Sequence, residues 1–194
     1  MYFSEGSADS PSRNDFIAEL SAYRAEDPRE ARMSRALLRF VLAQPDAFER
    51  SLLQGHLTGS AWIVDRALQQ TLLTHHRKLG KWLQLGGHAD GDTDIRRVAL
   101  REAREESGLT NVVPAQAGIY DVDIHEIPAR GVEPAHLHYD VRFAFFADPA
   151  EPLQLSDESH ALAWVRLDEV RALDVDASVL RLVAKTPRLP SIAR

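Results

Sequence analysis

Apolar residues follow two different periods along this chain. Met33, Ala36, Leu37, Phe40 and Val41 recur at intervals of three and four, the spacing of one helix face. A helix is therefore predicted from Asp27-Pro28, where proline suits the first turn, to Pro45, which ends it. A shorter helix precedes it, capped at Asn14/Asp15 and running to about Tyr23, behind an extended Ser-, Asp- and Gly-rich arm over residues 1 to about 14. Near residue 57 the character changes. LTGSAWIVD, TLLTHH and KWLQLGG read as short strands broken by polar or glycine-containing turns. Helical spacing returns from about Asp94 to Ser107, with Gly108 as a left-handed cap. Strands follow at VVPAQAGIYDVDIHE, HLHYDVRFAFFAD and LAWVRL, and Leu167 to Leu173 and Ala177 to Ala184 read as closing helices. This order predicts a mixed α/β sandwich rather than a regular βαβ alternation.

The third helix has its charges on an unexpected side. With Glu102 at the origin of a helical wheel, Glu105 and Glu106 fall at about −60° and +40°. The same face carries Ile95, Val98 and Ala99 one to two turns earlier. A solvated acidic face belongs opposite the apolar stripe, and like charges within a turn repel by a few tenths of a kcal/mol per pair. A hard divalent cation with oxygen ligands resolves the conflict; a solvated run of ion pairs is the plainer alternative. Arg101, four residues before Glu105, can hold that carboxylate in place. Gly86-Gly87, just upstream, permits close backbone approach and can present a carbonyl.

Composition narrows the chemistry. The 194 residues hold 29 acidic and 23 basic side chains, a net charge of −6, and no cysteine. Thiolate zinc sites, Fe–S clusters, disulfides and cysteine nucleophiles are excluded. The acidic balance argues against broad nucleic-acid binding. The longest stretches without Asp, Glu, Lys or Arg, Ser51 to Val64 and Ser107 to Tyr120, are about 14 residues against the roughly 20 of a membrane span. No secretory signal is evident at the N-terminus, so a cytoplasmic protein without membrane contacts is expected.

The spacing then becomes specific. Gly87, Thr93 and the run Arg101-Glu102-Ala103-Arg104-Glu105-Glu106-Ser107-Gly108-Leu109 resemble the Nudix box, G-x5-E-x7-R-E-U-x-E-E-x-G-U with U apolar. Thr93 stands where the family has its first Glu, and Ala103 is smaller than the usual aliphatic residue. Asp92 and Asp94 flank Thr93 and can cap the helix. The resemblance extends over roughly residues 55 to 185. It implies a Nudix-like α/β/α sandwich with a mixed sheet over residues 51–194; the N-terminal arm and helical extension, residues 1–50, lie outside it. It also implies Mg2+- or Mn2+-dependent hydrolysis of a diphosphate linkage in a nucleoside diphosphate derivative or related small molecule. By position, Glu102 and Glu106 are the metal ligands, Glu105 is a further ligand or the base, and the Gly86 carbonyl completes the set. Arg101 supports them. Because some members place the base in a later loop, Glu158 is a second candidate for it.

Other groups are read beside the box. His75, His76, Arg77, Lys78 and Lys81 concentrate positive charge ahead of the glycines; Arg77 and Lys78 are candidate phosphate contacts, or a solvated hairpin turn. In HLHYDVRFAFF, His136, His138, Asp140 and Arg142 share one strand face. That face is read as lining a polar cleft, with His138 touching substrate, or as a plain solvated face. The H-x-H-x-D run weakly resembles the metal motif of metallo-β-lactamase-type hydrolases, although Val141 stands where that motif continues with His. A ligand-binding or regulatory module on the same fold is the alternative function. The expected partner is a small phosphoanhydride, with a homodimer left open.

Overall fold

The computed structural model describes residues 11–131, 134–157 and 159–190. Helices α1 (Arg13–Ala22) and α2 (Pro28–Ala43) lead into strands β1 (Gly55–Val64), β2 (Gln70–His76), β3 (Trp82–Leu83) and β4 (Leu85–His88). Helix α3 (Ile95–Ser107) follows, then β5 (Val113–Pro114), β6 (Asp121–Ile127), β7 (His136–Phe146), β8 (Ser159–Arg166) and helix α4 (Ala177–Lys185). The mixed α/β sandwich and the N-terminal helices expected from the sequence are both present.

Strand β1 is the axis of the sheet. It runs parallel to β7 from Gly55↔Leu137 to Val64↔Phe146, and antiparallel to β4 over Thr58–Ala61 and to β2 at Ile63–Val64. β2 continues outward to β3 and β8, while β5 and β6 share the far edge of β7. Side chains alternate along a strand, so each strand serves two layers. Leu57, Ala61 and Ile63 join Val141, Phe143 and Phe145 against Val98, Ala99 and Ala103 of α3; Phe16, Leu20, Leu37 and Val41 of α1 and α2 complete that core. On the other face, Trp62, Val64, Ala144 and Phe146 pack against Val179 and Leu182 of α4.

The element ends correct the sequence reading in three places. The cap of α1 is Ser12, not Asn14 or Asp15; Asp15 lies in the first turn and its carboxylate accepts the Ser12 N–H at 2.8 Å, a reciprocal capping box. KWLQLGG is two strands, β3 on β2 and β4 on β1, because the chain changes partner at Gln84. Leu167 to Leu173 forms only a turn and a three-residue 3-10 helix, Val170–Ala172. Its apolar residues Leu167, Val170 and Leu173 repeat every three positions, the 3-10 period rather than the α period. The predicted Asp94 cap and the left-handed Gly108, φ 72°, are both found.

A buried ion network fastens α4 to the sheet. Arg142, 2% exposed, donates from Nε to Asp140 at 2.7 Å, from Nη1 to Asp121 at 3.4 Å and from Nη2 to Ser178 at 2.9 Å. Arg181 of α4 grips Asp121 at 2.7 Å and Asp123 at 3.0 Å. Lys185 links Asp121 at 3.2 Å to Glu30 of α2 at 2.8 Å, so the network also ties down an N-terminal helix. Burial works to raise both sheet carboxyls. Arg181 and Arg142 outweigh it at Asp121, and His125 with the same two arginines outweighs it at Asp123, holding both below the usual carboxylate range.

A depressed folded pKa adds stability above the unfolded value, about 3.9 for Asp, which is lost as pH falls from there through the folded value. Denaturant unfolding should therefore give a nearly constant free energy from about pH 7 to 5 and a steep fall below about pH 4. Asp123→Asn should make that fall shallower while lowering stability at neutral pH. Equal acid slopes for variant and parent would contradict this account of the network.

Candidate active site

Helix α3 lies directly on strand backbone. A Cβ at Gly59 would sit 2.8 Å from the Ile95 carbonyl oxygen and 3.1 Å from the Ala99 nitrogen. One at Gly87, the cross-strand partner of Gly59, would sit 2.4 Å from the Glu102 carboxyl carbon. Two adjacent strands thus lack side chains where the helix crosses them. Asp94 caps that helix by accepting the Arg97 N–H at 3.0 Å; Asp92 accepts the Asp94 N–H at 2.9 Å and pairs with Arg97 at 2.6 Å. These two aspartates order the loop where Thr93 occupies the position of the expected glutamate. Thr93 itself donates to the Pro11 carbonyl at 2.6 Å.

Two of the three box glutamates converge on the strand. Glu106 is buried and its Oε1 accepts the Gly86 N–H at 3.1 Å. Glu102 lies over Gly87. Arg101 donates to Glu102 at 2.8 Å and to the His88 carbonyl at 3.1 Å, and reaches Glu105 only at 4.0 Å. The carboxylate it holds firmly is thus Glu102, whereas the sequence suggested Glu105. Glu105 is 62% exposed at its side chain, so the inward face predicted for three carboxylates holds two of them. A buried and a half-buried carboxylate beside a bare backbone edge form an oxygen-rich cradle suited to a hard divalent cation.

The remaining predicted residues lie apart. Arg77 donates to the Ser159 carbonyl at 3.2 Å on the turn after β2, and Lys78 on that turn is exposed. Glu158 falls outside the described residues. His136, His138, Asp140 and Arg142 do share a face, but the latter half is packed away: Asp140 accepts from Thr58 at 2.9 Å, Ser60 at 2.8 Å, Gln84 at 3.3 Å and Arg142 at 2.7 Å. That carboxylate is committed to the ion network, which removes it from the H-x-H-x-D reading.

Around His138 the structure gathers a group that sequence spacing did not reveal. His56 of β1 and His125 of β6 are its cross-strand neighbours, and His88 of β4 lies in the same cluster. Five of the eight histidines in the chain meet here. Burial first, then the neighbouring imidazoles, push His138 down to about 2, so it is neutral at physiological pH. The sequence signal for this cluster was the His136–His138 pair on one face of β7; that His56, His88 and His125 join it is a property of the sheet.

Comparison with known proteins places this geometry. Residues 56–185 match the NUDIX domain family. A search of curated proteins finds no match. Among solved structures, a C. elegans Ap4A hydrolase in a binary complex is similar at 19% identity and TM-score 0.54, covering 68% of this chain and 95% of that one. A Nudix hydrolase from M. smegmatis is similar at 20% identity and TM-score 0.53, covering 72% and 91%. A MutT protein from Methanosarcina mazei is similar at 21% identity and TM-score 0.50, covering 71% and 96%. At these identities the likeness is one of fold.

The two glycines make separable predictions. Gly59→Ala meets helix backbone, which cannot turn aside, and should cost about 1–3 kcal/mol in denaturant unfolding, as overpacking does. Gly87→Ala meets the far end of a glutamate side chain, which can swing away. It should cost less than about 1 kcal/mol but weaken Mn2+ binding, followed by electron paramagnetic resonance, at least about 10-fold. Undiminished Mn2+ affinity in Gly87→Ala would remove Glu102 from the cradle.

Proposed function

The chain belongs to the Nudix family, and we propose that it is a pyrophosphohydrolase that cleaves a phosphoanhydride bond in a nucleoside diphosphate derivative or similar small molecule at the Glu102–Glu106 cradle. The observation that carries this reading is the convergence of Glu102 and Glu106 on Gly86-Gly87. The donor set suits Mg2+ or Mn2+: two carboxylates, with the Gly86 carbonyl on the strand edge they approach. A divalent cation held by Glu102 and Glu106 would supply positive charge to offset the negative charge of a diphosphate and to acidify a water. Glu102 and Glu106 are the proposed ligands, and Arg101 is a positioning residue that fixes the Glu102 carboxylate.

The chain's own part in the reaction is placement and proton transfer. Attack by water forms a new P–O bond as the bridging P–O bond breaks, the leaving phosphate departs with that bond's electrons, and the water proton passes to a carboxylate. Glu105, one turn from Glu102 and exposed to solvent, is the proposed acceptor, with Glu158 as the second candidate for that role. Arg77 and Lys78 are proposed to contact the phosphates from the turn ahead of β3; their substitution by Ala should then raise KM with little change in kcat.

Glu106→Gln tests the cradle. The amide oxygen can still accept the Gly86 N–H, so the strand contact survives while one charge is removed. Turnover of a panel of nucleoside diphosphate derivatives with Mg2+ or Mn2+ should fall by orders of magnitude. Melting temperature without metal should hold or rise slightly, and the increase caused by Mg2+ should shrink, because ligand stabilisation follows affinity. Near-normal kcat, or an Mg2+ shift equal to that of the parent, would overturn the assignment.

A further inference from the structure

The histidine cluster lies on the opposite side of the sheet from the carboxylates. Gly87 faces α3, and His88, the next residue, faces away. The positions facing α3 in β1 are Leu57 and Gly59, so His56, one position before Leu57, faces away. Cross-strand pairing of His56 with His138 and of His125 with His138 then puts all these rings in one layer. His56 and His136 are 2% and 6% exposed. The ring centroids of His56, His136 and His138 lie 5.0, 5.0 and 5.1 Å apart, and one ring nitrogen from each falls within 4.8 Å of the other two.

Two details select a ligand chemistry. His136 donates its Nδ1 proton to the Pro134 carbonyl at 3.0 Å, which makes Nε2 the lone-pair atom and fixes the ring, as outer partners of metal-bound histidines do. That Nε2 lies 3.3 Å from Nε2 of His138. Two nitrogens bound tetrahedrally to one zinc at about 2.0–2.1 Å are separated by about 3.3–3.4 Å. Neutral imidazoles favour late first-row ions over Mg2+, which prefers carboxylate, carbonyl and water oxygens. Asp140, committed to Arg142, Thr58 and Ser60, is not part of the donor set; His56 takes the place the sequence motif gave it.

We propose that His56, His136 and His138 form a binding site for a divalent transition-metal ion of the zinc class, distinct from the Glu102–Glu106 cradle and with a fourth position open to water. His88, with its centroid 5.0 Å from His56, borders that position. The site does not depend on the hydrolase reading, since no carboxylate of the box contributes to it.

Metal-stripped full-length protein titrated with Co2+ tests this directly. The expected result is one equivalent bound with the intense visible ligand-field absorption of four-coordinate, nitrogen-rich cobalt, displaced by Zn2+ and unaffected by excess Mg2+. His136→Gln and His138→Gln should each lower Zn2+ affinity by at least about 100-fold, more than the loss of an outer partner, while Glu102→Gln and Glu106→Gln leave it unchanged. A weak six-coordinate spectrum abolished by Mg2+ or by the glutamate variants would overturn the proposal, as would the absence of a visible band. If the histidine variants fail to fold, the parent spectrum and its response to Mg2+ decide the matter alone.

Discussion

Helix α3 brings its carboxylates to strand β4 because Gly59 and Gly87 present it with no side chains. Any residue larger than glycine at 59 would press on the Ile95 carbonyl and the Ala99 nitrogen, and any at 87 would occupy the place of the Glu102 carboxylate. The separation of helix and sheet at this crossing is therefore set by backbone rather than by interdigitating side chains. Much else follows from it. Ile95, Val98 and Ala99 reach the core at that depth, Glu106 arrives at the Gly86 N–H, and Arg101 is left to clamp Glu102 against the end of the strand. A set of carboxylates held this way draws its precision from a rigid element on a rigid surface.

The sheet also divides two kinds of polar chemistry. One face carries oxygen donors borne by α3. The other carries a row of imidazoles that gives way, along β7, to the Asp140–Arg142 ion network and then to the apolar floor beneath α4. Removing one partner from a buried charge network leaves an uncompensated charge, whereas apolar replacement of the whole can be neutral. The network is accordingly better understood as a device of register than of bulk stability. It requires Asp121, Asp123, Arg142 and Arg181 to meet in one arrangement, and Lys185 extends the same requirement to α2 through Glu30. The N-terminal helices share both the core and this network with the family-matched region, so their packing bears on the position of β6 and β7.

Local rules written in the sequence were enough for several features. The periods of two and about three and a half placed the long strands and α2, α3 and α4; Asp27, Asp94 and Gly108 ended helices where their backbone chemistry required; and the box spacing put Glu102 and Glu106 on the side of α3 that carries its apolar stripe. These are properties of residues within a few positions of one another. The wheel also put Glu105 on that face. Its exposure, 62% at the side chain, depends on what packs over that turn of the helix, which no wheel contains.

Tertiary structure decided what depends on which strands become neighbours. The parallel pairing of β1 with β7 and the antiparallel pairing of β6 with β7 bring His56, His125 and His138 side by side although up to 82 positions separate them in the chain. The same pairings turned Asp140 from a motif residue into a buried partner of Arg142. Spacing along a strand tells which residues share a face, because the pleat has a period of two. It does not tell what lies across that face, because cross-strand contacts are set by topology and register, and these are settled only when the whole sheet is packed.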